Sequence, residues 1–216
     1  MLIDLSHTIE HGMITYAGLA PPVISDFLSR EASRARYASG TEFHIGRIDM
    51  VANTGTYLDA PWHRFADGGD ISAIQLDSVA DLPAVVLRDR EHRAIDTASM
   101  RGLELRGKAL LIHTGWSRHW RTDAYCNNQH PYVTRDAAEM LAKSGVRVVG
   151  IDSYNIDDTA DATRPTHTAL LRAGIFIVEH LTNMEALPYS GPIRFFAVPV
   201  KVRGLGSFPV RAFAMV

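Results

Sequence analysis

The sequence predicts an α/β fold, and the alternation of strands and helices in its second half is the main reason. Apolar, β-branched runs alternate there with segments that begin at capping residues and end at glycines, a pattern typical of α/β domains. The 216 residues are 46% hydrophobic and 21% charged, as in an average soluble globular protein. No internal repeat, linker or low-complexity segment divides the chain. We therefore expect a single domain over residues 1–216.

The first half predicts strands joined by long loops. Residues 1–9 alternate apolar and polar side chains, as a half-buried strand does. Residues 12–22 contain glycines and a Pro-Pro pair, which indicates a loop. Residues 25–36 fit a short helix that begins at Ser25. The further expected elements are a strand over 43–51, buried strands over 82–87 and 109–113, and a short helix near 97–105.

The second half gives clearer signals. Thr134 is a good N-cap for a helix through Leu141 that ends at Gly145. A structured loop is expected over 116–132 and a polar loop over 152–165. The remaining expected elements are strands over 146–152, 175–179, 195–202 and 210–216, and a helix over 168–173.

Composition excludes several function classes. The net charge is −2 and no long basic run occurs, so binding to nucleic acid or to a membrane surface is not indicated. The apolar runs are far shorter than a membrane span, and the N-terminus lacks a signal pattern. Cys126 is the single cysteine, which excludes an intrachain disulfide and a cysteine-based zinc site. We expect a cytoplasmic protein that acts on a small molecule.

Carboxylates follow three of the apolar strands. Asp59, Asp152 and Glu179 each stand where a run of apolar residues stops, and a buried carboxylate needs a partner or a metal ion. Asp152 fits a simple turn equally well. His167 lies at the start of a predicted helix, where the helix dipole disfavours a cation, so we expect a neutral imidazole there.

The segment 53–63 concentrates reactive groups. It reads Asn-Thr-Gly-Thr-Tyr-Leu-Asp-Ala-Pro-Trp-His, and it resembles the signature His-x-Gly-Thr-His-x-Asp-x-Pro-x-His of the Putative cyclase family, which includes bacterial kynurenine formamidases and isatin hydrolases. Further stretches that resemble this family are 3–7, 12–13, 150–152, 167–171, 178–183 and 204–212.

The resemblance implies a fold, an assembly and a chemistry. It implies a single α/β domain of the swivelling β/β/α type in a homodimer or homotetramer. It also implies hydrolysis of an amide or lactam C–N bond with a divalent metal, zinc or manganese, and no organic cofactor. Asp59, His167 and Glu179 match metal ligands of the family, and His63 matches the last histidine of the signature.

Two positions depart from the signature. Asn53 and Tyr57 stand where the family has its first two ligand histidines. An asparagine carbonyl is a weak, neutral ligand, and a phenol, with an ordinary pKa of about 10, must lose its proton to bind a metal well. We therefore expect one metal ion rather than two, held by Asp59, His167 and Glu179. His63 is a candidate fourth ligand, and Asn53 is a weaker one.

Three functions remain open. The first is a hydrolase of a small cyclic or aromatic amide, with one divalent metal and His63 as proton relay. The second is a metal-poor cyclase, dehydratase or lyase that uses Tyr57, Asp59 and His63 as acid–base groups. The third is a non-catalytic protein that binds a small molecule. Aromatic side chains that could contact a substrate are Trp62, Phe43, Tyr16 and Trp116.

Overall fold

Thirteen β-strands and three α-helices form the fold in the computed structural model, which describes residues 1–216. The strands are β1 (Leu2–Asp4), β2 (Val23–Leu28), β3 (Ile45–Asp49), β4 (Tyr57–Asp59), β5 (Leu82–Arg88), β6 (Ala94–Ile95), β7 (Ala109–His113), β8 (Tyr132–Val133), β9 (Val148–Ile151), β10 (Phe176–Glu179), β11 (Arg194–Phe196), β12 (Ser207–Pro209) and β13 (Phe213–Met215). The helices are α1 (Arg30–Ser33), α2 (Arg135–Ser144) and α3 (Pro165–Arg172).

Nine strands form one curled sheet in the order β1-β13-β11-β5-β7-β9-β10-β4-β12. Strands β5, β7, β9 and β10 run parallel at its centre, and the outer strands pair antiparallel. Among these strands, β7 is joined to β9 through α2 and β9 to β10 through α3, which is how parallel strands are normally connected. The expected single α/β domain of the β/β/α type is confirmed.

Two apolar clusters pack on the two faces of this sheet. Along β7, Leu110 and Ile112 belong to the cluster that α2 and α3 cover, whereas Leu111 belongs to the other. The same alternation separates Ile177 from Val178 in β10, because successive side chains of a strand point to opposite faces. Burial on both faces explains why these strands read as continuous apolar runs.

Helix α2 confirms the capping prediction. The Thr134 side chain accepts a hydrogen bond from the backbone N–H of Ala137, and Gly145 ends the helix with a left-handed φ of 79°. Helix α3 begins at Pro165, three residues before the predicted start at 168. A proline at the first helical position has no N–H to leave unsatisfied, which favours this earlier start.

The helix predicted over 25–36 is wrong in most of its length. Residues Val23–Leu28 form strand β2 instead and pair antiparallel with β3. Only Arg30–Ser33 are helical, and their N-cap is Ser29 rather than Ser25. The backbone pairing of Val23–Leu28 with β3 outweighs the weak helical tendency.

The short helix predicted near 97–105 is also wrong. Asp96 accepts hydrogen bonds from the backbone N–H groups of Ala98 and Ser99, so its side chain favours a turn over a helix. Gly102, with a φ of 80°, then turns the chain again. The last strands are shorter than predicted: Arg194–Phe196 instead of 195–202, and Phe213–Met215 instead of 210–216.

None of the helices has the length and apolar character needed to cross a membrane.

Candidate active site

Strand β4 carries two of the predicted site residues. Its register places Tyr57 opposite Glu179 of β10 and Asp59 opposite Ser207 of β12. Tyr57 and Asp59 point to the same side of the strand, and Leu58 between them packs in the core. The antiparallel pairing therefore brings residues that are more than a hundred positions apart into contact.

The 3-10 turn Pro61–His63 presents His63 beside this strand. Its Nδ1 atom lies 2.9 Å from the Ser207 Oγ atom, and the Ser207 hydroxyl makes a short hydrogen bond to Asp59 Oδ1. Gly206 makes this approach possible, because a Cβ atom there would overlap the His63 backbone.

These contacts define the state of the His63 ring. The Ser207 hydroxyl donates to Asp59 because the carboxylate can only accept, so the serine oxygen accepts from His63 Nδ1–H. In the neutral ring with this tautomer, Nε2 is the nitrogen that carries no hydrogen. The His63 side chain is 36% exposed, as a proton relay that exchanges with the cavity requires.

Helix α3 positions His167 through a partner that the sequence did not reveal. Asp157 accepts hydrogen bonds from the backbone N–H groups of Thr166, at 2.6 Å, and His167, at 3.1 Å. The same carboxylate accepts from His167 Nδ1 at 2.6 Å. A carboxylate that holds one ring nitrogen and directs the other is the usual support of a metal-binding histidine.

The Nε2 atom of His167 lies between two further carboxylates. It is 3.6 Å from Asp59 Oδ2 and 3.8 Å from Glu179 Oε1. These separations are too long for hydrogen bonds, but ligand atoms about 2.1 Å from a zinc ion at tetrahedral angles lie about 3.4 Å apart. The donor atoms of Asp59, His63 and His167 all lie within 4.8 Å of one another.

The oxygen atom Asp59 Oδ2 shows that this donor set fits a cation. It is completely buried and has no hydrogen-bond partner, an arrangement that is costly for a charged oxygen. A divalent cation held by Asp59 and His167, with His63 or Glu179 as a further ligand, would satisfy this atom with the oxygen and nitrogen donors that zinc and manganese accept.

The carboxylates change the expected charge of His167. Burial alone lowers the pKa of its imidazole, but Asp157, Asp59 and Glu179 outweigh burial and raise the pKa to about 10. Without a metal ion, the three carboxylates thus favour the protonated imidazole more strongly than the helix terminus disfavours it, whereas a metal ion on Nε2 would require the predicted neutral imidazole. The same negative charge that favours a proton on His167 also attracts a metal cation, which would compete for Nε2.

Tyr57 and Glu179 form a buried pair. The Tyr57 hydroxyl donates to Glu179 Oε2 at 2.5 Å, and the backbone N–H of Ile156 donates to Glu179 Oε1 at 2.7 Å. Burial and then the charge of Glu179 raise the pKa of Tyr57 well above its ordinary value. Burial also raises the pKa of Glu179, and these hydrogen bonds oppose that rise. Tyr57 therefore keeps its proton and holds Glu179.

The cavity in front of this cluster has a volume of about 340 Å³. Asn53 lies in its wall, with its amide nitrogen 3.3 Å from Ser207 Oγ. Among the four aromatic residues proposed to contact a substrate, only Tyr16 lines the cavity. Its full lining is Tyr16, Leu19, Asn53, Tyr57, His63, Arg64, Asn155, Arg164, His167 and Glu179.

Asp152 does not join the cluster. It accepts hydrogen bonds from the backbone N–H groups of Thr114 and Gly115 and from the Thr114 hydroxyl, so it ties the end of β9 to the end of β7. Two residues that belong to the site, Asp157 and Ser207, were not predicted. The need of a ligand histidine for a carboxylate partner was the available signal for Asp157.

The fold and the cluster together define an α/β enzyme with buried carboxylate and imidazole groups at one end of a small cavity. Sequence comparison agrees: the Putative cyclase family model matches residues 3–158. The chain belongs to the Putative cyclase family.

Relatives and solved structures support this assignment. The kynurenine formamidase of Geobacillus thermodenitrificans is 29% identical over 211 residues, which cover 97% of this chain and 95% of the relative. Isatin hydrolase A from Labrenzia aggregata, solved with benzyl benzoate, has the same fold, with a TM-score of 0.84, 22% identity and coverage of 100% of this chain and 93% of that one.

A third similar protein was solved as a potential metal-dependent hydrolase with cyclase activity. It has a TM-score of 0.79 and 26% identity, with 99% of this chain and 96% of that one covered. The similar proteins are hydrolases, which confirms the prediction that this chain is an enzyme.

Proposed function

We propose that this protein hydrolyses the C–N bond of a small aromatic or cyclic amide. The proposal rests on one observation: the buried, unpartnered Asp59 Oδ2 atom beside His167 Nε2 and Glu179 Oε1. One divalent cation, zinc or manganese, fits this set, and Asn53 is the nearby neutral oxygen donor on the cavity wall. A bound cation of this kind polarises a carbonyl group and lowers the pKa of water.

The protein supplies the proton transfers. His63 Nε2, which carries no hydrogen when Nδ1 donates to Ser207, can accept a proton and deliver it to the departing nitrogen. Ser207 and Asp59 keep the ring in this tautomer. Tyr57 donates to Glu179 and so keeps that carboxylate oriented, although it occupies the place of a ligand histidine in the family signature.

Metal removal and one matched variant test the proposal. Chelation should abolish hydrolysis of N-formyl-kynurenine, and zinc or manganese should restore it. His63→Asn should bind the metal as the wild-type protein does and yet lose turnover. Full turnover after complete chelation, with no metal left on the protein, would exclude this mechanism.

We further propose that the chain assembles into a homodimer or homotetramer through the β2–β3 sheet. This two-stranded sheet stands apart from the main one, and its apolar side chains face solvent, with Phe27 70% exposed. Val23, Ile45 and Ile48 of the same sheet are also exposed, and exposed apolar residues clustered in one element are typical of an interface. Light scattering should give at least a dimer, and Phe27→Glu should reduce it to a monomer; a monomeric wild-type protein would contradict this assembly.

A further inference from the structure

The residue that follows Glu179 has a left-handed backbone. His180 is completely buried and has a φ of 56°, a conformation that the β-carbon of a non-glycine residue disfavours. In a continued strand its side chain would point to the same face of the sheet as Val178. It packs instead beside the ring of Tyr57, with 5.3 Å between the ring centroids. Backbone strain at a buried position next to a site residue is typical of a functional constraint.

Two hydroxyl groups hold His180 in this conformation. The Thr56 hydroxyl donates to the carbonyl oxygen of His180 at 2.6 Å. The Tyr125 hydroxyl lies 2.7 Å from His180 Nδ1 and shares a hydrogen bond with it. Thr56 and Tyr125 are each 1% exposed, and a hydrogen bond between buried groups is costly to lose. These two contacts therefore offset the backbone strain of His180.

The chain is fixed on both sides of His180. Before it, Glu179 pairs with Tyr57 of β4. After it, the Leu181 N–H donates to Ile151 O at 3.0 Å. The peptide unit that joins Glu179 to His180 is therefore the part of the chain that a change of φ at His180 would move. Such a movement displaces the Glu179 side chain, whose carboxylate is oriented by two hydrogen bonds.

We propose that His180 is a positioning residue, and that its left-handed backbone directs the Glu179 carboxylate towards His167. His180 does not line the cavity, so it acts through Glu179 and not on the substrate. The inference rests on the proposed function, because Glu179 belongs to the donor set of the proposed metal ion. It predicts that the backbone conformation at position 180, and not the imidazole group, decides how tightly the metal is held.

Two substitutions of His180 separate the backbone from the imidazole. Asparagine adopts left-handed angles readily, whereas valine, which is β-branched, strongly disfavours them. His180→Asn and His180→Val both remove the imidazole and its hydrogen bond to Tyr125. We expect His180→Val to raise the Kd for zinc, measured by competition with a chelator, by about tenfold or more. The Kd of His180→Asn should stay within about threefold of the wild-type value.

A matched control separates the geometry of the site from a general loss of stability. Asp81 has the same φ of 56°. It precedes β5 at the amino ends of the parallel strands, whereas Glu179 stands at the carboxyl end of β10. Asp81→Val should therefore lower the melting temperature and leave the Kd for zinc unchanged.

A second pair of variants covers the case that His180→Val does not fold. Thr56→Val replaces the hydroxyl that donates to His180 O with a methyl group, and it should raise the Kd for zinc by about threefold or more. Thr56→Ser keeps the hydroxyl and should bind zinc as the wild-type protein does.

The contact between Tyr57 and Glu179 gives a readout that needs no metal. In crystal structures of the metal-free protein, their hydrogen bond of 2.5 Å should be lost in His180→Val and kept in His180→Asn. If the wild-type protein binds no zinc but the variants show this difference, the proposed hydrolysis fails and the positioning role stands. The inference is refuted if His180→Val binds zinc as tightly as the wild type, if His180→Asn loses as much affinity, or if both variants keep the hydrogen bond.

Discussion

Replacing Tyr57 with phenylalanine removes one hydroxyl group from a buried hydrogen bond of the site. Tyr57 is 2% exposed and Glu179 is 1% exposed, and their contact is 2.5 Å long. The rest of the ring, which packs near His180, stays in place. The substitution therefore tests the hydrogen bond with little change in packing.

The expected cost follows from the charge of the acceptor. A hydrogen bond to a charged group contributes about 1.5–3 kcal/mol, and its loss leaves a buried carboxylate oxygen unsatisfied. We expect the free energy of unfolding to fall by about 2 kcal/mol, and the melting temperature to fall by about 4–8 °C for a chain of this size. The pKa of Glu179 should rise further, since the Tyr57 hydroxyl opposes that rise, and cation binding should weaken.

Urea denaturation in the presence of a chelator measures the effect on the protein alone. Tyr189→Phe is the matched control, because Tyr189 is 88% exposed and its hydroxyl forms no hydrogen bond within the protein; its stability should change by less than about 0.5 kcal/mol. If Tyr57→Phe is as stable as this control, the Tyr57–Glu179 bond does not support the site as argued.

The same variant also separates hydrolysis from a metal-poor cyclase or lyase reaction. A supporting role for Tyr57 predicts that added metal restores much of kcat in Tyr57→Phe. If kcat stays abolished at saturating metal, Tyr57 itself donates a proton or hydrogen bond to the substrate, as the lyase alternative requires.

Three other predictions follow from single contacts. Ser207→Ala should reduce kcat by about tenfold to a hundredfold with unchanged metal content, because His63 loses the group that orients it; an unchanged kcat would contradict the relay. Burial lowers the pKa of His180 to about 3. Between about pH 6.5 and pH 3, His180 is therefore protonated in the unfolded state and neutral in the folded state. The contribution of His180 to the free energy of unfolding should therefore fall by about 2 kcal/mol from pH 7 to pH 5. For the metal-depleted His180→Asn variant, denaturation at the two pH values should show a fall in stability that is smaller by this amount. The double variant Asn53→His and Tyr57→His should bind two metal ions per chain; a count that stays at one would show that these two positions do not account for a reduced site.

The site was predictable where chemistry and local pattern coincide. Asp59, His167 and Glu179 each stand at the end of a strand or the start of a helix, and the pairing of β4 with β10 brings two of these positions close together. The apolar runs identified β5, β7, β9 and β10 for the same reason, because burial on both faces leaves a clear sequence signal.

Other parts depend on contacts that no local pattern reveals. Ser207 meets Asp59 across 148 positions of sequence, through the pairing of β12 with β4. In the sequence, Asp157 is one of several aspartates in a polar loop. Its role depends on helix α3, which places two backbone N–H groups and the His167 imidazole beside its carboxylate. The pKa of His167 also depends on three carboxylates that only the fold brings together.

The number of metal ions per chain tests the central claim most directly. After incubation with zinc or manganese and removal of free metal, elemental analysis should give close to one ion per wild-type chain. Asp59→Asn, which keeps the shape of the side chain and removes its charge, should give close to none while remaining folded. A wild-type protein that retains no metal, or an Asp59→Asn variant that retains as much as the wild type, would contradict the metal site of Asp59, His167 and Glu179.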